Sequence, residues 1–317
     1  MRNLKKLISL VMITMMALLM FTGCGSKTVT MKDMEGTEFT VPKKIERIVS
    51  TAPSNTEILV GLGLGDKIVG VDKYSADVKG LNPDIPKIDF RNPDAEAILA
   101  LKPDVIIASG HNREGKEDPF KVLKDAGIPV VYIPTSESMD GIYDFHNHLS
   151  AQEIYEDINF LAKLTGTEAE GNKMVDSMKS EVNKIKAIGE TIKDKKTVYF
   201  EIGSGSKLYS FGNDTFLNSL LNIVGAENIF ANEKGWISPS EEAVIKANPD
   251  VILTNESYIE NATDLIAKRP GWNTITAVKD NKIFLVDNNA SSRGSQYVIN
   301  ALKQMAKDIY PEQYAGI

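Results

Sequence analysis

Cysteine occurs once in this chain of 317 residues, at Cys24, so no disulfide can close within it. Histidine is limited to His111, His146 and His148, a thin stock of direct metal donors. Basic side chains number 36 against 43 acidic ones. That balance excludes the basic face on which nucleic-acid binding depends. The sequence holds no P-loop, no G-x-S-x-G and no HExxH, and its lone cysteine is no candidate nucleophile. The glycines at 61, 63 and 65 follow a helical pattern and precede a strand, the reverse of the order a dinucleotide fingerprint needs. One apolar run stands at the N-terminus and no second one of that length follows, so the remainder reads as a soluble body.

The N-terminal segment is organised. Arg2, Lys5 and Lys6 precede residues 7–21, which are apolar apart from Ser9 and Thr14, and Thr22-Gly23-Cys24 closes the run. A basic start, an apolar stretch and small residues at the end read as a secretory signal over 1–23. The stretch is shorter than the roughly 20 residues that cross a bilayer. Cys24, directly after Gly23, resembles the lipobox cysteine of bacterial lipoproteins, which is diacylated and becomes the mature N-terminus. The resemblance implies lipidation at Cys24 and a place on the extracytoplasmic face of the cell membrane, since two acyl chains make a stable anchor. Residues 24–36 then read as a tether. Loss of 1–23 removes three basic residues and no acidic ones, leaving 33 against 43 and a net charge of −10.

Short β-branched runs alternate with amphipathic stretches along the body. Strands are expected at 47–50, 67–71, 104–108 and 130–133, with helices over 56–62, 95–101 and 120–126. A second set has strands at 197–202, 251–253 and 283–286 and helices over 214–224, 240–247 and 295–309. Such alternation predicts parallel βαβ units. Residues 152–192 carry helical periodicity with almost no strand signal, broken at Thr165-Gly166-Thr167. There Thr167 and Glu170 form a capping-box pattern. Met174, Val175, Met178, Val182, Ile185 and Ile188 mark one buried helical face. The fold expected is α/β, with a lobe over 37–150, inter-lobe helices over 151–192 and a second lobe over 193–317.

The two halves share a segment. Residues 90–107 (FRNPDAEAILALKPDVII) and 236–253 (WISPSEEAVIKANPDVIL) align without gaps and agree at seven of eighteen positions. Glu96 and Glu242 fall in the first turn of equivalent helices. Acids there offset the helix dipole by about 0.3–1 kcal/mol, which is one sufficient reason for them. Phe90 and Trp236 are matched aromatics just ahead of those helices.

Together with Thr51-Ala52-Pro53-Ser54-Asn55-Thr56-Glu57, the run at 61–71, the segment 217–230 (LNSLLNIVGAENIF) and the ending Tyr310-Pro311-Glu312, these motifs resemble the substrate-binding proteins of iron-siderophore and cobalamin ABC importers. The resemblance spans residues 40–317. It implies two Rossmann-like lobes with parallel sheets, joined by a long rigid α-helix, and a ligand cleft between the lobes. It implies no catalysis and a monomer whose partners are an ABC permease dimer and its ATPase subunits. Glu96 and Glu242 match the family's permease-docking glutamates, one per lobe, with Glu241 the alternative anchor. A pseudo-symmetric protein meeting a two-fold transporter needs one equivalent anion on each lobe.

Strand-end and loop positions offer Tyr74, Phe90, His111, Tyr209, Trp236 and Arg293 as ligand contacts. A guanidinium at Arg293 would suit an anionic chelate. The aromatics favour a large, partly planar cargo, and a chelator supplies its metal's ligands, so no protein metal site and no intrinsic cofactor are expected. The expected cargo is a ferric siderophore, with cobalamin and then haem as alternatives. His146-Asn147-His148 lies in about a dozen residues that look inserted relative to the family, and is either a ligating triplet or loop decoration. An enzyme on a two-lobed α/β fold and a lipoprotein adhesin are the competing functions, and neither requires matched docking glutamates.

Overall fold

The computed structural model describes residues 27–34, 36–109, 118–133 and 151–317. Cys24, His111 and the triplet at 146–148 lie outside these residues. The described part opens on a hairpin. Strand β1 (Thr28–Lys32) pairs antiparallel with β2 (Glu38–Pro42), Met31 opposite Phe39, and Thr37 donates its backbone N–H to Asp33 at 2.8 Å across the turn. Residues 28–32, expected within a tether, are thus a strand. Their side chains alternate between polar and apolar, and Met31 and Phe39 pack against the core.

Strands β3 (Ile48–Ser50), β4 (Ile68–Asp72), β5 (Lys87–Ile88), β6 (Val105–Ser109) and β7 (Val130–Ile133) form a wholly parallel sheet in the order β5-β4-β3-β6-β7. Helices α1 (Pro53–Gly61), α2 (Ala95–Ala100) and α3 (Lys121–Asp125) connect them. The apolar runs are continuous because both faces are covered. Ile48, Val105 and Ile107 face one cluster, while Val49, Ile106 and Ala108 face another that holds Phe120 and Tyr132.

Helices α4 (Ala151–Thr165) and α5 (Glu168–Gly189) follow. The expected capping box is not formed: the Thr167 side chain caps nothing in α5, and its hydroxyl pairs with that of Thr165 at 2.9 Å. The predicted face of α5 is the one that packs, with Val175, Met178 and Ile185 buried and Met174, Val182 and Ile188 against the core. Two glycines show how α5 spans the molecule. A Cβ at Gly171 would lie 2.5 Å from Ala162 Cβ and 3.7 Å from Leu62, on the first lobe. One at Gly189 would collide with the Ile223 carbonyl, on the second. Those positions are about 27 Å apart along a helix rising 1.5 Å per residue.

The second lobe contains β8 (Thr197–Glu201), β9 (Ser210–Phe211), α6 (Phe216–Val224), β10 (Glu227–Asn228), β11 (Trp236–Ile237), α7 (Glu241–Ala247) and β12 (Val251–Thr254). Then come α8 (Ala262–Ala267), α9 (Thr276–Lys279), β13 (Ile283–Leu285), α10 (Asn288–Ser292) and α11 (Val298–Ile309). Its main sheet is parallel, in the order β10-β8-β12-β13, and β9 pairs antiparallel with β11 beside it.

The repeated segment occupies equivalent places in both sheets. Ile48 of β3 pairs with Val105 of β6, and Val198 of β8 with Val251 of β12. Asp104 accepts the backbone N–H groups of Glu46 and Arg47 at 2.8 and 2.9 Å. Asp250 accepts the Thr197 N–H and hydroxyl, both at 2.8 Å. The shared Pro-Asp therefore ties each strand's entry to its neighbour. Even the residue ahead of the proline matches, Lys102 and Asn248 both standing at φ 48°.

Candidate functional site

In open parallel sheets a ligand site forms beyond the carboxyl ends of the strands, where the strand order reverses. Here that is between β3 and β6 in one lobe and between β8 and β12 in the other. On the first lobe the floor is a buried hydroxyl network. Thr56 donates to Ser50 Oγ at 2.8 Å, lies 3.0 Å from Ser75 Oγ, and Ser75 donates to Asp72. Asp72 also accepts the Tyr74 N–H at 2.8 Å. Burial pushes the Asp72 carboxyl above its ordinary value, and these donors pull against it.

The second lobe presents Glu201 at the end of β8, with no exposed side-chain surface. Arg269 grips it with both terminal nitrogens, at 2.6 and 2.7 Å, and Tyr199 donates its hydroxyl at 3.1 Å. Burial drives Glu201 upward in pKa, while the guanidinium draws it down and stabilises its charge. Glu256, just past β12, accepts the Ser204 N–H at 2.9 Å and the Tyr258 hydroxyl at 3.0 Å. Arg269 in turn stacks 4.6 Å over Trp272, whose indole N–H donates to Glu241 at 3.2 Å.

Between the lobes stands an ionic cluster. Arg293 Nη1 donates to Glu57 Oε1 at 2.7 Å, and Nη2 reaches Asp77 Oδ1 at 3.0 Å and the Tyr74 carbonyl at 3.1 Å. Ser295 donates to Glu57 Oε2 at 2.5 Å, Gln296 to the Glu57 carbonyl at 2.8 Å, and Asn289 to Asp77 at 2.7 Å. Burial raises the Glu57 pKa, opposed by Ser295 and Arg293.

The residues expected as ligand contacts are dispersed over this region. Tyr74 is half-buried, its ring centroid 6.4 Å from that of Phe90. Phe90 itself is only 5% exposed and belongs to the core beneath the first sheet, so it has little surface to offer. Tyr209 is exposed at the start of β9's hairpin, packed on Gly203, and Trp236 is half-buried with its ring 6.2 Å from Phe211. Arg293 is partly buried, in the inter-lobe cluster.

The two docking candidates sit on matched helices. Asp94 caps α2 through the Ala97 N–H at 3.0 Å, and Ser240 caps α7 through the Ala243 N–H at 3.2 Å. Glu96 and Glu242 each stand two residues after their cap, exposed. The Glu242 backbone N–H and the Ser240 hydroxyl hold the Glu242 carboxyl below its ordinary pKa. Glu241, also exposed, accepts the Trp272 indole N–H.

The model of the family described as "Periplasmic binding protein" matches residues 48–290, from β3 through most of α10. The chain belongs to the periplasmic binding protein family. It is 33% identical over an alignment 320 positions long, 95% of this chain and 96% of the other, to YvrC of Bacillus subtilis, an uncharacterised ABC transporter substrate-binding lipoprotein. It is 26% identical over 266 residues to a vitamin B12-binding protein of Vibrio parahaemolyticus, covering 83% of this chain and 89% of that one. A crystal structure described as a possible iron-binding periplasmic solute-binding protein of Staphylococcus epidermidis superposes with a TM-score of 0.71 at 34% identity, covering 84% of this chain and all of that one. As a periplasmic binding protein the chain is a solute-binding protein and not an enzyme, and its homologues are substrate-binding proteins of ABC transporters.

Sequence reasoning named Arg293 but missed its partners Glu57 and Asp77, and it missed the Glu201–Arg269 pair. The signals were legible. Glu57 is the only charged residue of α1, a helix buried almost throughout, and Glu201 ends an otherwise uncharged buried strand. A charge in such a place requires a partner.

Proposed function

We propose that this periplasmic binding protein is the lipid-anchored, extracytoplasmic receptor of an ABC importer, capturing a metal chelate of the ferric siderophore type and handing it to a permease dimer driven by its ATPase subunits. One observation carries the delivery half of this reading. Helices α2 and α7, at equivalent places in two lobes, expose a glutamate at the same position after a capped N-terminus. Matched anions on a pseudo-symmetric body suit a two-fold partner that offers one cationic pocket per subunit. Anchoring through Cys24 keeps the receptor near that partner. Among the described residues no helix is long and apolar enough to cross a membrane.

For cargo, Tyr74, Tyr209 and Trp236 supply aromatic surface at the carboxyl ends of the two sheets, suited to a large chelate. Cobalamin is the second reading, favoured by the relative named for vitamin B12, and haem the third. Reversing charge at Glu96 and Glu242 together, by Glu96→Lys with Glu242→Lys, tests delivery in cells dependent on this receptor. Both side chains are exposed, so folding and cargo binding persist while uptake falls at least tenfold. Uptake equal to wild type would refute the docking assignment.

A further inference from the structure

Arg293 stands where a cleft guanidinium would meet an anionic cargo, yet its chemistry is already committed. Both terminal nitrogens point at first-lobe groups: Nη1 at Glu57, Nη2 at Asp77 and the Tyr74 carbonyl. Its side chain is 13% exposed and that of Glu57 5%, so the pair is shielded from water and from competing ions. Arg293 itself belongs to the second lobe, following α10, and 236 positions of chain separate it from Glu57. The same few residues add further bonds across the gap, Ser295 to the second Glu57 oxygen and Asn289 to Asp77.

The place of this cluster decides what it does. A Cβ added at Gly61 would lie 2.6 Å from Met174 of α5 and 2.8 Å from the amide nitrogen of Gln296. The cluster therefore abuts the helix that spans the two lobes. From that point the guanidinium reaches the backbone of Tyr74, one of the aromatic candidates for cargo.

We propose that Arg293 is a positioning residue, an inter-lobe latch that closes on Glu57 and Asp77 beside α5 and holds Tyr74 in place, and that its charge does not contact the cargo. A guanidinium spent on two carboxylates leaves no donor pair for a ligand carboxylate, and the three side chains together carry one negative charge. The cleft then has no preference, through Arg293, for an anionic chelate. This last consequence rests on the proposed cargo class; the latch does not.

Two measurements on the full chain separate the latch from a cargo contact and from a merely local role. The first is amide hydrogen exchange in wild type, Arg293→Gln and the milder Asp77→Asn, whose carboxylate is half exposed and whose loss leaves the Glu57 pair intact. A latch predicts that exchange accelerates together in residues 73–78 of the first lobe and 287–297 of the second, by about a hundredfold in Arg293→Gln, as expected when a buried pair loses one partner. Asp77→Asn gives the same paired pattern at about a few-fold. Acceleration confined to 287–297, or none, overturns the latch. If Arg293→Gln does not fold, Asp77→Asn carries the test.

The second measurement is the affinity of wild type, Arg293→Gln and Arg293→Lys for cyanocobalamin, which is electrically neutral, and for haemin, which bears two propionates. Positioning predicts that whichever probe binds loses affinity by a similar factor, and that Arg293→Lys recovers part of the loss seen in Arg293→Gln. Where both probes bind wild type, a loss confined to haemin would make Arg293 a ligand contact and refute the assignment; where only one binds, the exchange pattern decides. If neither probe binds, the cargo reading loses these two members while the exchange pattern still decides the latch.

Discussion

Replacing Arg269 by methionine isolates the electrostatic cost of the Glu201 carboxylate. In the native protein Glu201 is fully buried and receives both ends of the guanidinium fork at 2.6 and 2.7 Å, plus the Tyr199 hydroxyl at 3.1 Å. Methionine keeps much of the aliphatic bulk over Trp272, so the change falls chiefly on charge. Removing one partner of a buried pair costs about 3–5 kcal/mol, because the remaining charge has lost its compensation. Burial already raises the Glu201 pKa, and Arg269 is the principal force against that rise. Without it the folded-state pKa climbs further above the unfolded value. A raised carboxyl pKa lowers stability as pH rises from the unfolded pKa through the folded one, so the penalty is larger at pH 7.5 and shrinks towards pH 4.5. Thermal unfolding of wild type and Arg269→Met at both pH values measures it. At about 2–4 °C per kcal/mol, the expected loss at pH 7.5 is about 6–20 °C. Adding Glu201→Gln to Arg269→Met should recover more than half of it. A deficit equal at both pH values, or below about 1 kcal/mol, would refute the electrostatic reasoning.

Two further substitutions follow from the same structure. Lys102 occupies a left-handed backbone position, φ 48°, that its repeat partner fills with Asn248 at the same angle. Lys102→Asn should therefore stabilise by about 0.5–1 kcal/mol in urea unfolding at unchanged slope, and a destabilised variant would contradict the equivalence of the two segments. Asp308 has a half-buried carboxyl whose Oδ2 finds no partner among the described residues, and desolvation lifts its pKa to about 6. Folding then loses stability as pH rises from about 4 to 6, because the folded state holds a proton that the unfolded state has released. Asp308→Asn removes that cost. Discounted for partial exposure, the gain is about 1 kcal/mol above pH 6.5 and nil at pH 4, and a pH-independent gain would count against the assignment.

The central strands were legible because their β-branched runs are buried on both faces, as at Ile48–Ser50 and Val251–Thr254. The face of α5 was legible from its spacing. What escaped were elements held by pairing instead of burial. The two-residue strands β5, β9, β10 and β11 carry no periodicity of their own, and β1 is mostly exposed. One helix was expected over 295–309. It forms as α11, beginning at Val298, and the short α10 ahead of it was not expected: Asp287 caps α10 through the Ala290 N–H at 2.8 Å, and Arg293 just after it turns away to reach Glu57. Glu96 and Glu242 were visible as a matched pair because a repeat marks equivalence without any structure. The cleft was harder to read. Phe90 and Trp236 align in sequence, but Phe90 belongs to the core under β3 and β6 while Trp236 sits at the margin on β11. Pairing of charges across lobes leaves no local pattern, so the role of Arg293 became readable only once Glu57 and Asp77 stood beside it.

The central claim is capture of a metal chelate between the two lobes. Calorimetric titration of the purified protein with a ferric hydroxamate siderophore, cyanocobalamin and haemin, paired with absorbance spectra, tests it most directly. The account predicts that one of the three binds at 1:1 with a Kd of about 1 μM or tighter, equivalent to about −8 kcal/mol, and that Trp236→Ala weakens that binding at least tenfold. Heats indistinguishable from dilution for all three, with unchanged spectra, would contradict it.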